Sequence, residues 1–243
     1  MTSLFIFGLG YSARRLADRL AARGWHIAAT GSAGTMAFDD RAAVEAGLRG
    51  ATHVLASVPP GEGGNPVLTR YGAALRAAPA RWIGYLSATG VYGDTGGAWV
   101  DESAPIGRGR RSARAAADLA WQQFGQQAGH DVHIFRLPGI YGPGRSALDR
   151  LRAGQAVRVD LPGQVFSRIH VDDLARGIIA GFDGPAGIYN LADDLPAPQS
   201  DVLAHAAALL GLDPPPLLTL DEAGLSPAAR AFYAENRRVA NGR

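Results

Sequence analysis

The sequence predicts an α/β protein built on a doubly wound parallel sheet, with a small lobe contributed by the C-terminal part of the chain. Three observations predict it. Short apolar runs alternate with alanine- and leucine-rich helical stretches, the first run passes at once into a glycine turn and a helix, and the rhythm loosens after about Gly142. With 243 residues, 47% of them hydrophobic, the chain is long enough for one full core and a small attached lobe.

Strands are predicted at Leu4–Phe7, His26–Thr30, Thr35–Phe38, Thr52–Ser57, Trp82–Ser87 and Val132–Leu137. Between them Ala13–Arg23, Arg41–Leu48, Val67–Ala77 and Arg111–Ala128 have the composition of helices. The stretch between Thr30 and Thr35 is too short to hold a helix, so the usual crossover between the second and third strands is missing or replaced by a tight connection. Beyond Gly142, Pro143-Gly144, Leu161-Pro162-Gly163, Gly184-Pro185 and Pro214-Pro215-Pro216 break the chain into short pieces. The expected organisation is residues 1–142 as the sheet core and 143–243 mainly as a lobe over the site, with 164–192 returning to the core.

Composition excludes several kinds of chemistry. No uncharged apolar run approaches the roughly 20 residues that cross a bilayer. Met1-Thr2-Ser3 leads straight into the first strand without the basic and apolar segments of a secretory leader, so a cytoplasmic location away from membranes is expected. The absence of cysteine removes disulfides, thiolate catalysis and cysteine-bound metals. A net charge of +2 on dispersed arginines gives no footprint for nucleic acid. All 24 basic residues are arginine, which removes Schiff-base chemistry and lysine as a tunable acid or base. His26, His53, His130, His133 and His205 show no metal-ligand spacing, and no metal is expected.

Gly8-Leu9-Gly10-Tyr11-Ser12-Ala13 fits G-x-G-x-x-A, directly after a strand and before an amphipathic helix. That context predicts a Rossmann-like dinucleotide site for NAD or NADP. Gly8 would permit the tight turn, Gly10 the approach of a pyrophosphate to the backbone, and Ala13 close packing of helix on strand, with Tyr11 and Ser12 in the turn itself. NAD-preferring sites carry an acid at the end of the second strand, where this chain has Thr30-Gly31-Ser32. Thr30, Ser32 and Arg14 could together receive a 2′-phosphate, which favours NADP slightly over NAD, although Arg14 also reads as a solvated helix residue. Asp39 could reach the adenine or cap the next helix. Ser57-Val58-Pro59 are expected to line the cofactor groove, with Ser87 at the end of a later strand.

Further segments carry a family resemblance: Leu86-Ser87-Ala88-Thr89-Gly90-Val91-Tyr92-Gly93, Arg136-Leu137-Pro138-Gly139-Ile140-Tyr141-Gly142-Pro143, Ile169-His170-Val171-Asp172-Asp173-Leu174 and Ile188-Tyr189-Asn190-Leu191. With the glycine motif they cover most of the chain. The sequence resembles the short-chain dehydrogenase/reductase superfamily in its extended or atypical branch, the NAD-dependent epimerase/dehydratase type. The resemblance implies that Pro138-Gly139 lie near the nicotinamide and that the later chain closes over a small-molecule substrate, often a nucleotide sugar in relatives. It also implies a homodimer through helices near Val67–Ala77 and Arg111–Ala128. Relatives continue well past a segment like Asn236–Asn241, which implies that part of the substrate lobe is missing.

Typical members use a Ser or Thr, a Tyr and a Lys, the tyrosine exchanging the substrate's hydroxyl proton. The corresponding positions here are Ala88, Arg110 and Arg114. Arg110 and Arg114, four apart, could bind a phosphate or carboxylate from one helix face, or belong to a solvated basic helix start beside Arg108 and Arg111. Neither can act as a base. A substitute acid or base would come from Thr89, Tyr92, Tyr141 or His170. The two tyrosines also read as packing aromatics, and His170, a candidate for the substrate side, reads better as structural. Asp172-Asp173 after it read as the cap and acidic first turn of a helix Leu174–Ala180. Two functions follow: an NAD(P)-dependent oxidoreductase or epimerase/dehydratase-type enzyme on a small anionic or nucleotide-sugar substrate with a non-standard site, or a non-catalytic NAD(P)-binding redox sensor or scaffold. The retained cleft motifs favour the enzyme.

Overall fold

The computed structural model describes residues 2–61, 63–107 and 112–243. The first half runs β1 (Ser3–Phe7), α1 (Tyr11–Ala21), β2 (His26–Ala29), α2 (Arg41–Arg49), β3 (His53–Ala56), α3 (Pro66–Ala77), β4 (Trp82–Ala88) and β5 (Trp99–Val100). It continues through α4 (Ser112–Ala128), β6 (Val132–Leu137), β7 (Gly139–Tyr141), α5 (Ala147–Arg152), β8 (Arg158–Val159), β9 (Arg168–His170) and α6 (Val171–Ala180). The last elements are β10 (Gly187–Asn190), α7 (Gln199–Leu210), β11 (Leu217–Leu218), α8 (Pro227–Arg230) and β12 (Arg238–Val239).

Six parallel strands form the central sheet in the order β10-β6-β4-β3-β1-β2. This is the Rossmann-like doubly wound fold. Successive side chains of a strand point to opposite faces, so β1 feeds two cores. Phe5 and Phe7 pack with Val44, Tyr71 and Trp121 under α2, α3 and α4. Leu4 and Ile6 pack with Leu16, Leu174 and Ile178 under α1 and α6. Asp172 ties those last two helices together, accepting from Arg15 Nη2 at 2.9 Å and pairing with Arg19 at 2.8 Å.

One predicted strand is corrected. Thr35–Phe38 is not a strand; it touches β2 through a single Thr30–Met36 bridge. The chain folds back at Gly31–Gly34, and the one carbonyl of Ala29 accepts from both Thr35 N at 2.8 Å and Met36 N at 3.2 Å. No length is left to open a new ladder. A Cβ at Gly34 would stand 2.4 Å from the Ala29 oxygen, so only glycine allows this close return. The sixth strand is instead β10, which pairs with β6 after the chain has made part of the lobe.

The lobe is assembled from short pieces joined to distant partners. β11 pairs with β8, β7 with β9, and β12 with β5, so the last strand reaches back to the loop after β4. Among the described residues, no helix is long and apolar enough to cross a membrane.

His53 on β3 shows how costly a charge is in this core. It is 1% exposed and packed against Trp25 and Phe182, and burial, aided by Arg81, pushes its pKa down to about 4. The unfolded chain therefore takes up this proton first as the pH falls, and stability is lost from about pH 6.5 downward, levelling off near the folded value. Between pH 7 and pH 5 the expected loss is about 2 kcal/mol. Urea unfolding at the two pH values measures it, and His53→Phe should flatten the difference. An equal loss in the variant would assign the effect to other groups.

Candidate functional site

A cleft of about 710 Å³ opens at the carboxyl ends of the central strands, where doubly wound sheets hold their ligands. Of the residues singled out in the sequence, Ser12, Ser57, Pro59, Ser87 and Thr89 line it. Arg114, Pro138 and Gly139 do so as well.

At the mouth of α1 the glycine turn takes the form its sequence requires. Gly8 has φ +87°, a conformation that L side chains rarely adopt, and a Cβ there would lie 3.0 Å from Val58 Cγ2. Gly10 is different. Its φ of −85° and ψ of −172° are extended backbone that any residue adopts, and nothing lies within 4 Å of where its Cβ would be. It is the N-cap of α1 without any side-chain cap, and no acidic residue occupies the first turn. The helix thus presents first-turn N–H groups and its positive end to open space, which suits a pyrophosphate. Ala13 is fully buried against the sheet, as close packing needs.

The end of β2 meets this turn. Gly8 N donates to Thr30 Oγ1 at 3.1 Å and Leu9 N to Thr30 O at 3.0 Å. Thr30 is fully buried, so it shapes the turn and does not face a phosphate; the expectation for it is corrected. Gly31 lies against the Gly8–Leu9 backbone, and Ser32 beside it is exposed. Arg14 crosses from α1 to this loop, donating from Nη2 to Ala33 O at 3.1 Å. Asp39 points into solvent and pairs with Arg70 at 2.8 Å, while its neighbour Asp40 caps α2 by accepting from Ala43 N. Asp39 therefore caps nothing. Tyr11 turns toward the lobe, donating to Pro143 O at 3.2 Å, with the Arg145 guanidinium 5.5 Å above its ring.

Of the four acid/base candidates only Thr89 lines the cleft. Tyr92 is 3% exposed; its hydroxyl donates to Asn190 Oδ1 at 2.7 Å and accepts from Arg136 Nη1 at 3.0 Å. Burial outweighs these bonds and raises its pKa. Tyr141 is not a wall residue of the cleft, and burial together with the neighbouring Asp193 carboxylate pushes its phenol up to about 12. His170 is also outside the cleft wall. It caps α6, its Nδ1 accepting from Asp172 N at 3.2 Å, so this helix begins at Val171 and the Asp172-Asp173 pair occupies its first turn. Arg110 lies outside the described residues.

The sequence did not reveal the polar cluster that holds the cleft's edge. Arg136 and Asp118 are 2% and 0% exposed and form a two-pronged pair, Nε to Oδ2 at 3.1 Å and Nη2 to Oδ1 at 3.0 Å. Ser87 Oγ donates to Asp118 Oδ2 at 2.6 Å and Gln122 Nε2 to Oδ1 at 2.8 Å. Burial works against the Arg136 charge, but the Asp118 carboxylate outweighs it and holds its pKa up. The cluster fixes the ends of β4 and β6, from which Ala88-Thr89 and Pro138-Gly139 enter the cleft. It also engages the Ser87 hydroxyl, beside the position where the resemblance expects one and finds Ala88.

The lobe wall was likewise missed. Arg145, Arg150, Arg168, Tyr233 and Arg237 line the cleft from segments with no hydrophobic period to mark them. Arg145 follows the Gly142-Pro143-Gly144 break, the one local signal that could have pointed to it. Among the described residues, no group of three or more His, Asp or Glu could hold a metal ion.

No family model matches the chain. A functionally unknown conserved protein from Silicibacter pomeroyi DSS is 44% identical, with a TM-score of 0.88 over 100% of this chain and 90% of that one. Protein YeeZ of Escherichia coli (strain K12) is 32% identical over 134 residues, which are 54% of this chain and 47% of YeeZ, so the match spans about half the length of that curated relative. The human epimerase family protein SDR39U1, solved with NADPH, is 18% identical with a TM-score of 0.75 over 99% of this chain and 91% of that one, a likeness of fold. The chain belongs to the same family as the Silicibacter pomeroyi protein, and its fold is that of the extended or atypical short-chain dehydrogenase/reductases of the NAD-dependent epimerase/dehydratase type.

Proposed function

We propose that this protein binds NADP, or NAD less tightly, and is a cytoplasmic oxidoreductase or epimerase/dehydratase-type enzyme acting on a small anionic substrate. The observation that carries the reading is Gly10: no backbone strain and no neighbour demands a glycine there, yet any side chain would fill the approach to the uncapped end of α1. The space fits a pyrophosphate held by the first-turn N–H groups. SDR39U1, of the same fold, is solved with NADPH. Ser57, Pro59, Pro138 and Gly139 would receive the nicotinamide half, which supplies a hydride donor or acceptor when bound. Ser32 and Arg14 stand beside the end of β2, where an acid for NAD is absent and a 2′-phosphate could be met.

Titration with NADPH and NADH, read by energy transfer from the tryptophans, tests this. Tight binding of NADPH is expected. Arg14→Ala should weaken NADPH by about tenfold, the worth of one charge-assisted bond, and leave NADH unchanged. Equal weakening of both would place Arg14 away from the 2′ position, and no binding of either by the wild type would remove the reading.

The second reading, a sensor or scaffold that binds cofactor without turnover, is favoured by one arrangement. Ser87 is engaged by Asp118, and Tyr92 and Tyr141 lie off the cleft wall. A panel of small anionic carbonyl compounds with NADPH, followed at the nicotinamide absorbance, separates the two. We also expect a homodimer through α3 and α4, which sedimentation would register as twice the 25.4 kDa chain mass.

A further inference from the structure

The wall of the cleft carries an excess of positive charge. Among the described residues, Arg114, Arg145, Arg150, Arg168 and Arg237 line it against one carboxylate, Glu235, which Arg237 Nη1 already holds at 2.9 Å. That local excess is larger than the +2 of the whole chain. A bound dinucleotide would place its pyrophosphate at α1, near Tyr11 and Arg145, and away from Arg150 and Arg168.

Arg168 is the most demanding of them. Burial lowers its pKa against the opposing field of the Asp193 carboxylate, and among the described residues it forms no ion pair. Its Nη1 donates to Phe166 O at 2.8 Å and to Ala197 O at 2.9 Å, and its Nη2 to Gln199 Oε1 at 2.9 Å, with Nε–H and one Nη2–H outside these bonds. Three bonds fix the guanidinium in place, and its charge is met only by the field of Asp193, which forms no ion pair with it among the described residues. A half-buried cation in this condition gains when an anion reaches it. Arg150 approaches from α5 and is exposed, and no ion pair is formed by it among the described residues. Tyr233, in the single turn Ala231–Ala234, is set edge-on against Phe166 at 5.5 Å and feels the charges of both arginines. Three donors on three separate elements thus share one end of the cleft.

The size of the cleft limits what they can hold. About 710 Å³ is the volume of one drug-sized ligand site, in the usual range of about 300–1,000 Å³. Its walls include Ser57, Pro138 and Gly139, so the nicotinamide half of a cofactor takes part of that space. The remainder suits a small molecule.

We propose that Arg150, Arg168 and Tyr233 form the binding site for the anionic group, a carboxylate or phosphate monoester, of a small carbonyl substrate, and that a nucleotide sugar is not the substrate. The site differs from the helix-start arginines and His170 that the sequence suggested. It rests on the dinucleotide reading for the placement of the nicotinamide half, but the anion site itself can be tested without cofactor.

The probes are inorganic phosphate, acetate and uridine diphosphate, added to the 243-residue protein carrying tyrosine labelled with carbon-13 at Cζ. Tyr233→Phe identifies the Tyr233 resonance. Phosphate or acetate should shift that resonance saturably, and Arg150→Gln, at an exposed position that the fold does not need, should weaken the response by about tenfold while NADPH affinity stays as in the wild type. Equal affinity of the anions for wild type and Arg150→Gln overturns the site, as does an anion response that leaves Tyr233 unmoved. Uridine diphosphate binding more than about a hundredfold tighter than phosphate overturns the substrate class. A wild type that takes the anions but not NADPH keeps the anion site and removes the dinucleotide reading.

Discussion

Asp118→Ala is expected to lower the free energy of unfolding by about 3–5 kcal/mol, the cost of stranding one member of a buried ion pair. Arg136 cannot respond by losing its proton, and at 2% exposure it cannot turn out to water. Its remaining acceptors, the Tyr92 hydroxyl at 3.0 Å and Glu102 O at 3.3 Å, are neutral and both meet Nη1, so Nε and Nη2 would lose their partners together. Ser87 and Gln122 lose theirs in the same step. An exposed pair gives the contrast: Arg41→Ala, which breaks the Arg41–Glu45 pair at 3.4 Å on the outside of α2, should cost under about 0.5 kcal/mol. Urea unfolding of the two variants measures both. Removing both buried charges, as Asp118→Leu with Arg136→Met, should recover part of the loss, because the unpaired charge is what makes the single variant costly. A single-variant loss below about 1 kcal/mol would mean that water reaches Arg136 and that the cluster is not sealed.

That cluster was illegible for a physical reason. Asp118 sits in an alanine-rich helix and Arg136 in the run Val132–Leu137, and nothing within either segment says that the two side chains meet. Their pairing depends on α4 lying over β4 and β6, which is tertiary information. The central strands, in contrast, were legible because burial on both faces gives near-continuous apolar runs, and Val132–Leu137 has the same limits in sequence and structure. The same rule misled at Thr35–Phe38, whose apolar residues pack against the core from a fold-back at the end of β2. β10 is absent from the predicted strands, since an edge strand with half-buried side chains lacks the apolar run. Caps were shifted by one residue at Asp39 and displaced at Asp172, because aspartate is the usual N-cap and His170 is not. The lobe was least legible. Its short strands are held by partners far along the chain, as Arg238 is by Trp99, and neither helical nor strand period marks Arg150, Arg168 or Tyr233 as neighbours.

Gly10→Asp is expected to raise stability slightly while lowering NADPH affinity more than about a hundredfold. The two effects have one origin. Aspartate at an N-cap with extended backbone accepts from first-turn N–H groups and favours the positive end of the helix, worth a few tenths of a kcal/mol over glycine. Gly10 has that backbone, no cap and nothing within 4 Å of its Cβ, so the substitution meets neither strain nor clash. The same carboxylate would occupy the donors that a pyrophosphate needs and set a negative charge against it. Gly8→Ala separates this from general damage to the turn. At φ +87°, with Val58 Cγ2 3.0 Å from the new Cβ, it should cost stability, by about 1–3 kcal/mol, and should lose cofactor through distortion. Thermal unfolding and NADPH titration of the two variants therefore give opposite signs for stability and the same sign for binding. If Gly10→Asp kept its NADPH affinity with α1 better capped, the dinucleotide would have to lie elsewhere. The glycine would then be a relic of sequence without a ligand, and the cleft arginines would remain as the main pointer to what the protein binds.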